Sequence, residues 1–177
     1  MSARPPALVV ALAMAAGVCF AQSSPDEVRS AAAAQAPEID GKLDDACWTA
    51  APEATGFTRP LAVESPDKPI SVRVCHDARA LYLGFTCGEP DPGKLRTAAR
   101  PGSDSVWQDD CVEVWLGRAG SQLDVDQFIV NAAGVRQALR QRGGRSEDGR
   151  QPSWQAAARV GDGSYTVEIA LPYETLG

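Results

Sequence analysis

The sequence is poor in the residues that carry most protein chemistry. It has a single histidine, His76, and two methionines, Met1 and Met14, both close to its start. A chain with one histidine and no later methionine cannot supply a Met/His axial pair, so haem is excluded. No serine or cysteine nucleophile motif accompanies His76, and a Ser-His-Asp hydrolase does not fit. His76 falls between two strand-like runs and reads as a solvated turn residue. Positive charge is short as well: 17 Lys+Arg against 23 Asp+Glu give a net −6, which disfavours nucleic acid and anionic membranes as partners. The arginines that do cluster, Arg136, Arg140, Arg142, Arg145 and Arg150, stand in a Gly-rich polar stretch and read as a solvated hairpin face.

Long apolar runs are missing except at the start. "ALVVALAMAAGVCFA" follows Arg4 and is too short to span a bilayer. Small or tolerated residues at Cys19 and Ala21 suit a signal peptidase, so residues 1–21 read as a secretory signal peptide cut after Ala21. Val18 stands where a lipoprotein cleavage needs a small residue, and no lipid anchor is expected. The mature chain is therefore expected to be secreted or periplasmic. Residues 22–36 are small, polar and alanine-rich and read as a disordered linker. Residues 37–177 make one domain's worth of chain.

No Cys-x-x-Cys pair occurs. Beyond the leader the cysteines are Cys47, Cys75, Cys87 and Cys111, and an even number in an exported chain points to two disulfides, with metal ligation as the rival.

Where the chain has pattern, the period is two. "ISVRVC" sets Ile70, Val72 and Val74 on one face, and "LYLGFTC" aligns Leu81, Leu83 and Phe85, with a short turn between them. "CVEVWL" alternates Val112, Val114 and Leu116 against Cys111, Glu113 and Trp115. "QFIVN" is another strand, and "WQAAARV" and "YTVEIAL" flank a "GDGS" turn. Helix is expected only around Asp44 to Ala51 and in the terminal "PYETLG". Short strands with one apolar face each define an all-β chain, an antiparallel, jelly-roll-like β-sandwich. If Val74 pairs with Leu83, Cys75 and Cys87 lie on opposite faces of the hairpin and do not bond each other. That leaves Cys47–Cys87 with Cys75–Cys111, or Cys47–Cys75 with Cys87–Cys111. The shared non-core parity of Cys75 and Cys111 favours the first.

The chemistry concentrates in "SDSVWQDDCVEVWLG", with two tryptophans and four acidic residues. Asp109 and Glu113 could serve as a glycosidase pair, but such a pair must face across a cleft. Extended backbone would instead place Trp107, Asp109, Glu113 and Trp115 on one side and turn Asp110 towards the valines. That is a surface for laying down a pyranose: an indole stacks on the C–H face of the ring, and a carboxylate accepts from its hydroxyl rim. Turn chemistry and a calcium site are the other uses open to Asp109 and Asp110. Trp48 and Trp154 read as core anchors.

In this order, "EIDGKLDDACWTAA", "VRVCHDARALYLGFTC", "VWQDDCVEVWLG", "QFIVNAAG" and "YTVEIALPYETLG" resemble the family 9 carbohydrate-binding modules, over residues 37–177. The resemblance implies a non-catalytic module for plant-type polysaccharide (xylan or glucan), structural calcium in some members, and a glycoside hydrolase as downstream catalytic partner. It matches Trp107 to the first of two sandwiching tryptophans and Glu113 to an acidic residue bonding sugar hydroxyls. Asn131 of the "QFIVN" segment joins Trp107, Glu113 and Asp109 as a candidate ligand-binding residue. Two departures stand out. Ile129 replaces an arginine, and the second tryptophan falls in strands beyond Gly177, so the domain is expected to be incomplete at its C-terminal end. The alternatives are a hydrolase using Asp109 and Glu113, or a purely structural sandwich that has lost its sugar site.

Overall fold

The computed structural model describes residues 27–57, 68–117, 120–121, 123–148 and 153–176. The expected signal peptide, the first part of the expected linker, Arg150 and Gly177 lie outside the described residues. In chain order the elements are β1 (Ser30–Ala32), helix α1 (Ala46–Ala50), β2 (Glu53–Ala54), β3 (Ile70–His76), β4 (Ala80–Gly88), β5 (Cys111–Gly117), β6 (Val125–Asn131), β7 (Arg136–Arg142), β8 (Arg145–Asp148), β9 (Gln155–Val160) and β10 (Ser164–Pro172). Short 3-10 turns cover Pro92–Lys94, Val106–Gln108 and Tyr173–Leu176.

The strands form two sheets, ordered β1–β3–β4–β10–β9 and β5–β6–β7–β8, with β2 also on β3. Every pairing is antiparallel except β1 on β3. The sandwich read from the sequence is therefore present, with one parallel strand at its rim. Val72, Val74, Leu81 and Leu83 meet Val112, Val114, Leu116, Phe128 and Val130 between the sheets, with Val167, Ile169 and Leu171 from β10. The hairpin of β3 and β4 has the expected register, Val74 opposite Leu83. Its turn is held by Asp77, whose Oδ1 accepts from the backbone N–H groups of Arg79 (2.7 Å) and Ala80 (2.8 Å). The β7–β8 turn uses Gly143 and Gly144, both at positive φ (56° and 76°), the pairing that a two-residue hairpin turn of the right twist requires.

A second apolar cluster lies outside the larger sheet. Here α1 lays Cys47, Trp48 and Ala51 over Cys75, Ala80, Tyr82 and Ala170. Trp48 lies across Gly84: a β-carbon at Gly84 would meet the Trp48 ring at 3.1 Å and Leu43 Cδ2 at 2.6 Å. Opposite Gly84 in the register stands Glu168, wholly buried, and its Oε1 accepts from Trp48 Nε1 at 2.8 Å. Its Oε2 accepts from the backbone N–H groups of Gly41 (2.7 Å) and Asp40 (2.9 Å). This clasp closes the N-terminal arm onto β10. Trp154, the other expected core anchor, is also buried, edge-on to Phe128 at 5.3 Å.

Four expectations are corrected. Part of the expected linker is ordered: Ser30–Ala32 pairs with Val74–His76, and Ala31 and Ala33 pack on the second cluster, because such small side chains let the backbone lie close to the open edge of β3. His76 is the last residue of β3 rather than a turn residue, and its Nδ1 lies 2.7 Å from Ser30 Oγ. The arginine cluster is a solvated face only in part: Arg136 and Arg145 are exposed, whereas Arg140 and Arg142 are half-buried. Alternate residues of β7 point between the sheets, where Asp126 of β6 takes Arg140 Nε at 2.8 Å and Arg142 Nη2 at 2.9 Å, while Arg136 lies over Trp154 at 4.9 Å. Finally, Cys47, Cys75, Cys87 and Cys111 stand as thiols in this structure, and one pairing expected of them is excluded by position. The favoured Cys75–Cys111 pairing does not match their placement: Cys75 lies under α1 outside the larger sheet, whereas Cys111 opens β5 in the other sheet.

Candidate carbohydrate-binding site

The chain between β4 and β5 folds over the outer face of the second sheet. Its anchor is Val106, fully buried, whose N–H donates to Gln137 Oε1 at 3.3 Å. The 3-10 turn built on Val106 packs against β5 and β6 and leaves the next residue, Trp107, 55% exposed. Extended parity does not reach this far back, because β5 begins only at Cys111. Trp107 is therefore presented by a turn rather than by a strand.

Asp109 follows the turn and has a different task from the one expected. Its Oδ1 accepts from Ala98 N (3.0 Å), and its Oδ2 accepts from Ala99 N (2.9 Å) and Asn131 Nδ2 (2.8 Å). The side chain is 2% exposed, with Arg96 Nε 3.7 Å away. Asn131 is fully buried and its Oδ1 accepts from Ala133 N (3.1 Å) and Val135 N (2.8 Å). Both residues are spent on tying the loop to the end of β6, so neither offers a free polar edge to a sugar. Asp110 does similar work, accepting from Arg96 N at 2.8 Å.

Glu113 is placed as expected, on the outer face of β5. Its Oε2 accepts from Gln127 Nε2 (2.8 Å) and Trp115 Nε1 (3.2 Å), and Oε1 has no hydrogen-bond partner among the described residues. Ile129 sits opposite Glu113 and is fully buried, so it forms the apolar base under this face. Gln127 is the residue that sequence reasoning missed. Its cross-strand position opposite Trp115 follows only once the β5–β6 register is known. Ser105 and Gln108, flanking Trp107 in the chain, line a shallow cleft of about 420 Å³ together with Arg96, Arg100 and Ser103.

Burial works to raise the Asp109 pKa, but the donors from Ala99, Asn131 and Ala98 and the Arg96 charge outweigh it and hold the carboxyl below its ordinary value. A carboxyl depressed on folding stabilises the fold above its unfolded pKa of about 3.9, and that contribution is lost as pH falls through the folded value. Asp109→Asn is accordingly expected to cost about 1–2 kcal/mol at pH near 7 and less at a pH below the folded value, where the wild-type group is protonated too. Urea melts at the two pH values check this; an equal loss at both would remove the ionised carboxylate from the account.

Among the described residues no three His, Cys, Asp or Glu side chains converge to hold a metal ion. No described helix is long and apolar enough to cross a membrane.

Trp107 is thus exposed on a turn that packs on β5 and β6, and the outer face of that sheet carries the Glu113 carboxylate and the Gln127 amide. Residues 39–177 match the family described as "Carbohydrate family 9 binding domain-like", and the chain belongs to it. The fold is also that of solved structures. A family 9 carbohydrate-binding module from Caldicellulosiruptor kristjanssonii in complex with cellotriose aligns with a TM-score of 0.59 and 15% identity, covering 82% of this chain and 67% of that one. The same organism's module in complex with glucose gives 0.56 and 16%, covering 81% and 66%. A candidate carbohydrate-binding protein from Bacteroides uniformis gives 0.66 and 17%, covering 84% and 72%. At such identities these likenesses establish the fold. No protein of curated function matches the chain.

Proposed function

We propose that this chain is a non-catalytic carbohydrate-binding module that stacks a pyranose on Trp107 and engages its hydroxyls through Glu113 and Gln127. The observation that carries the reading is the exposure of Trp107 beside a fully buried Val106: a large apolar ring is held in water on a turn anchored by its neighbour. An exposed aromatic of this kind has a cost in isolation and is favourable once a ring covers it. The neighbours bound to cellotriose and glucose support a β-linked glucan or a related xylan as ligand.

A hydrolase using Asp109 and Glu113 is disfavoured by the geometry. A general acid or nucleophile must reach the scissile bond, and Asp109 is buried with both oxygens engaged. Hydrolysis would then fall to a separate glycoside hydrolase that the module accompanies. The apolar run after Arg4 supports export to the periplasm or medium, where such polymers are met.

Titration calorimetry with cello- and xylo-oligosaccharides is the test. Trp107→Ala is expected to weaken binding at least tenfold, roughly 1.4 kcal/mol, with the melting midpoint little changed because most of the residue is exposed. Undiminished binding in Trp107→Ala would sink the site. A folded wild type that binds no glycan would leave the sandwich a purely structural domain.

A further inference from the structure

We propose that Cys47 and Cys75 are joined by a disulfide in the mature protein, stapling helix α1 to strand β3. The pair was one of two partnerings left open by strand parity, and the fold brings these two together. Both are buried in the cluster outside the larger sheet, and Cys75 Sγ donates to the Cys47 carbonyl oxygen at 3.1 Å. The two thiols also lie within hydrogen-bond reach of each other, the neighbourhood from which an S–S bond closes. The other two cysteines lie elsewhere. Cys87 points between the sheets in the main core, and Cys111 belongs to the second sheet.

The surroundings say when the bridge must form. Burial first, and then the neighbouring Cys47, push the Cys75 thiol up to about 12, and burial likewise raises Cys47. Exchange needs a thiolate, so two such thiols are inert once folded, and the bond closes while the chain is folding. One cysteine thiolate attacks the disulfide of an oxidised thiol–disulfide oxidoreductase or of glutathione disulfide and expels one thiol. The second cysteine then attacks the mixed disulfide and expels the other. The protein loses two protons and two electrons, and the oxidant's sulfurs leave as two thiols. Afterwards the same burial keeps reductants out. The bridge also fixes the residue next to Trp48, and so the indole that lies on Gly84 and bonds Glu168.

The test needs neither export nor a glycan, so its failure is separate from failure of the binding reading. The full chain is reduced in denaturant and refolded with and without a glutathione/glutathione disulfide couple. It is then alkylated and digested with trypsin, which places Cys47, Cys75, Cys87 and Cys111 on residues 43–73, 74–79, 80–94 and 97–118, and Cys19 on residues 1–29. The expected product under oxidising conditions is peptide 43–73 joined to 74–79, two hydrogens lighter than the free pair. Oxidised protein is expected to melt roughly 5–10 °C above reduced protein, a shift that Cys47→Ala abolishes. Cys47 or Cys75 recovered joined to peptide 80–94 or 97–118, or both recovered alkylated after oxidative refolding, overturns the proposal. Should Cys47→Ala not fold, the peptide map of the wild type still decides.

Discussion

Replacing Glu168 by alanine is expected to remove about 3–5 kcal/mol of stability, a large part of the ~5–15 kcal/mol available to a domain of this kind. Burial raises its pKa against the opposing pull of its donors from Gly41, Trp48 and Asp40, so its charge is a cost that substitution would relieve. The donors decide the sign. Three N–H groups converge on two oxygens, and each orphaned donor costs about 1–3 kcal/mol. Glu168→Gln keeps the shape but turns an amide N–H₂ towards one of those donors, and a smaller loss of about 1–3 kcal/mol is expected. The pH dependence runs opposite to that of Asp109. A raised carboxyl is destabilising above its folded pKa, and that cost disappears as pH falls towards the unfolded value of about 4.3. Guanidinium melts read at constant slope settle the matter. A loss below about 1 kcal/mol in Glu168→Ala would mean the clasp is ornamental.

Asp126→Ala carries the second large effect, about 2–4 kcal/mol. The Asp126 side chain is 6% exposed and is the shared partner of Arg140 and Arg142, each 20% exposed. Removing it strands two guanidinium groups at the margin of the core, relieved only in part by their bonds to the carbonyls of Thr175 (2.7 Å) and Gln141 (2.8 Å). The remaining solvent contact keeps the loss below that of a fully buried pair. In a double-mutant cycle with Arg140→Leu, the combined change is expected to cost less than the sum of the two. Strict additivity would show that the three charges do not act together.

The elements read correctly from sequence are those whose pattern is local. Val72, Val74, Leu81 and Leu83 alternate cleanly, so the β3–β4 register could be set to the residue, and α1 was legible in the segment around Trp48. What escaped depends on partners far along the chain. β1 is a Ser-Ala run with no period of its own, held only by the edge of β3. The inward arginines of β7 are opaque to hydrophobic patterning because their partner is a carboxylate on the neighbouring strand. Asp109 and Asn131 have the side chains of a sugar site, yet their hydrogen bonds go to Ala98, Ala99, Ala133 and Val135, which no spacing rule picks out. Trp107 and Trp48 are the same residue type, and only their neighbours in space, bulk water for one and Gly84 for the other, assign them opposite tasks. Face parity separated Cys75 from Cys87 correctly. It could not tell that "outside" of one sheet is the far side of the molecule from "outside" of the other.

The position of β10 also bears on how the molecule is made. Among the described residues it is the last of ten strands, yet it lies between β4 and β9, and its Glu168 bonds partners as many as 128 residues earlier. Closing such distances before any contact rewards them slows folding towards the ms–s range typical of sandwiches. Until residues 164–172 have been synthesised, β4 keeps a bare hydrogen-bonding edge, and Trp48 has no carboxylate to meet. This part of the nascent chain therefore stays open until β10 has emerged. That is the condition in which a polypeptide threads through a translocon, and the interval in which its thiols are still within reach of an oxidant.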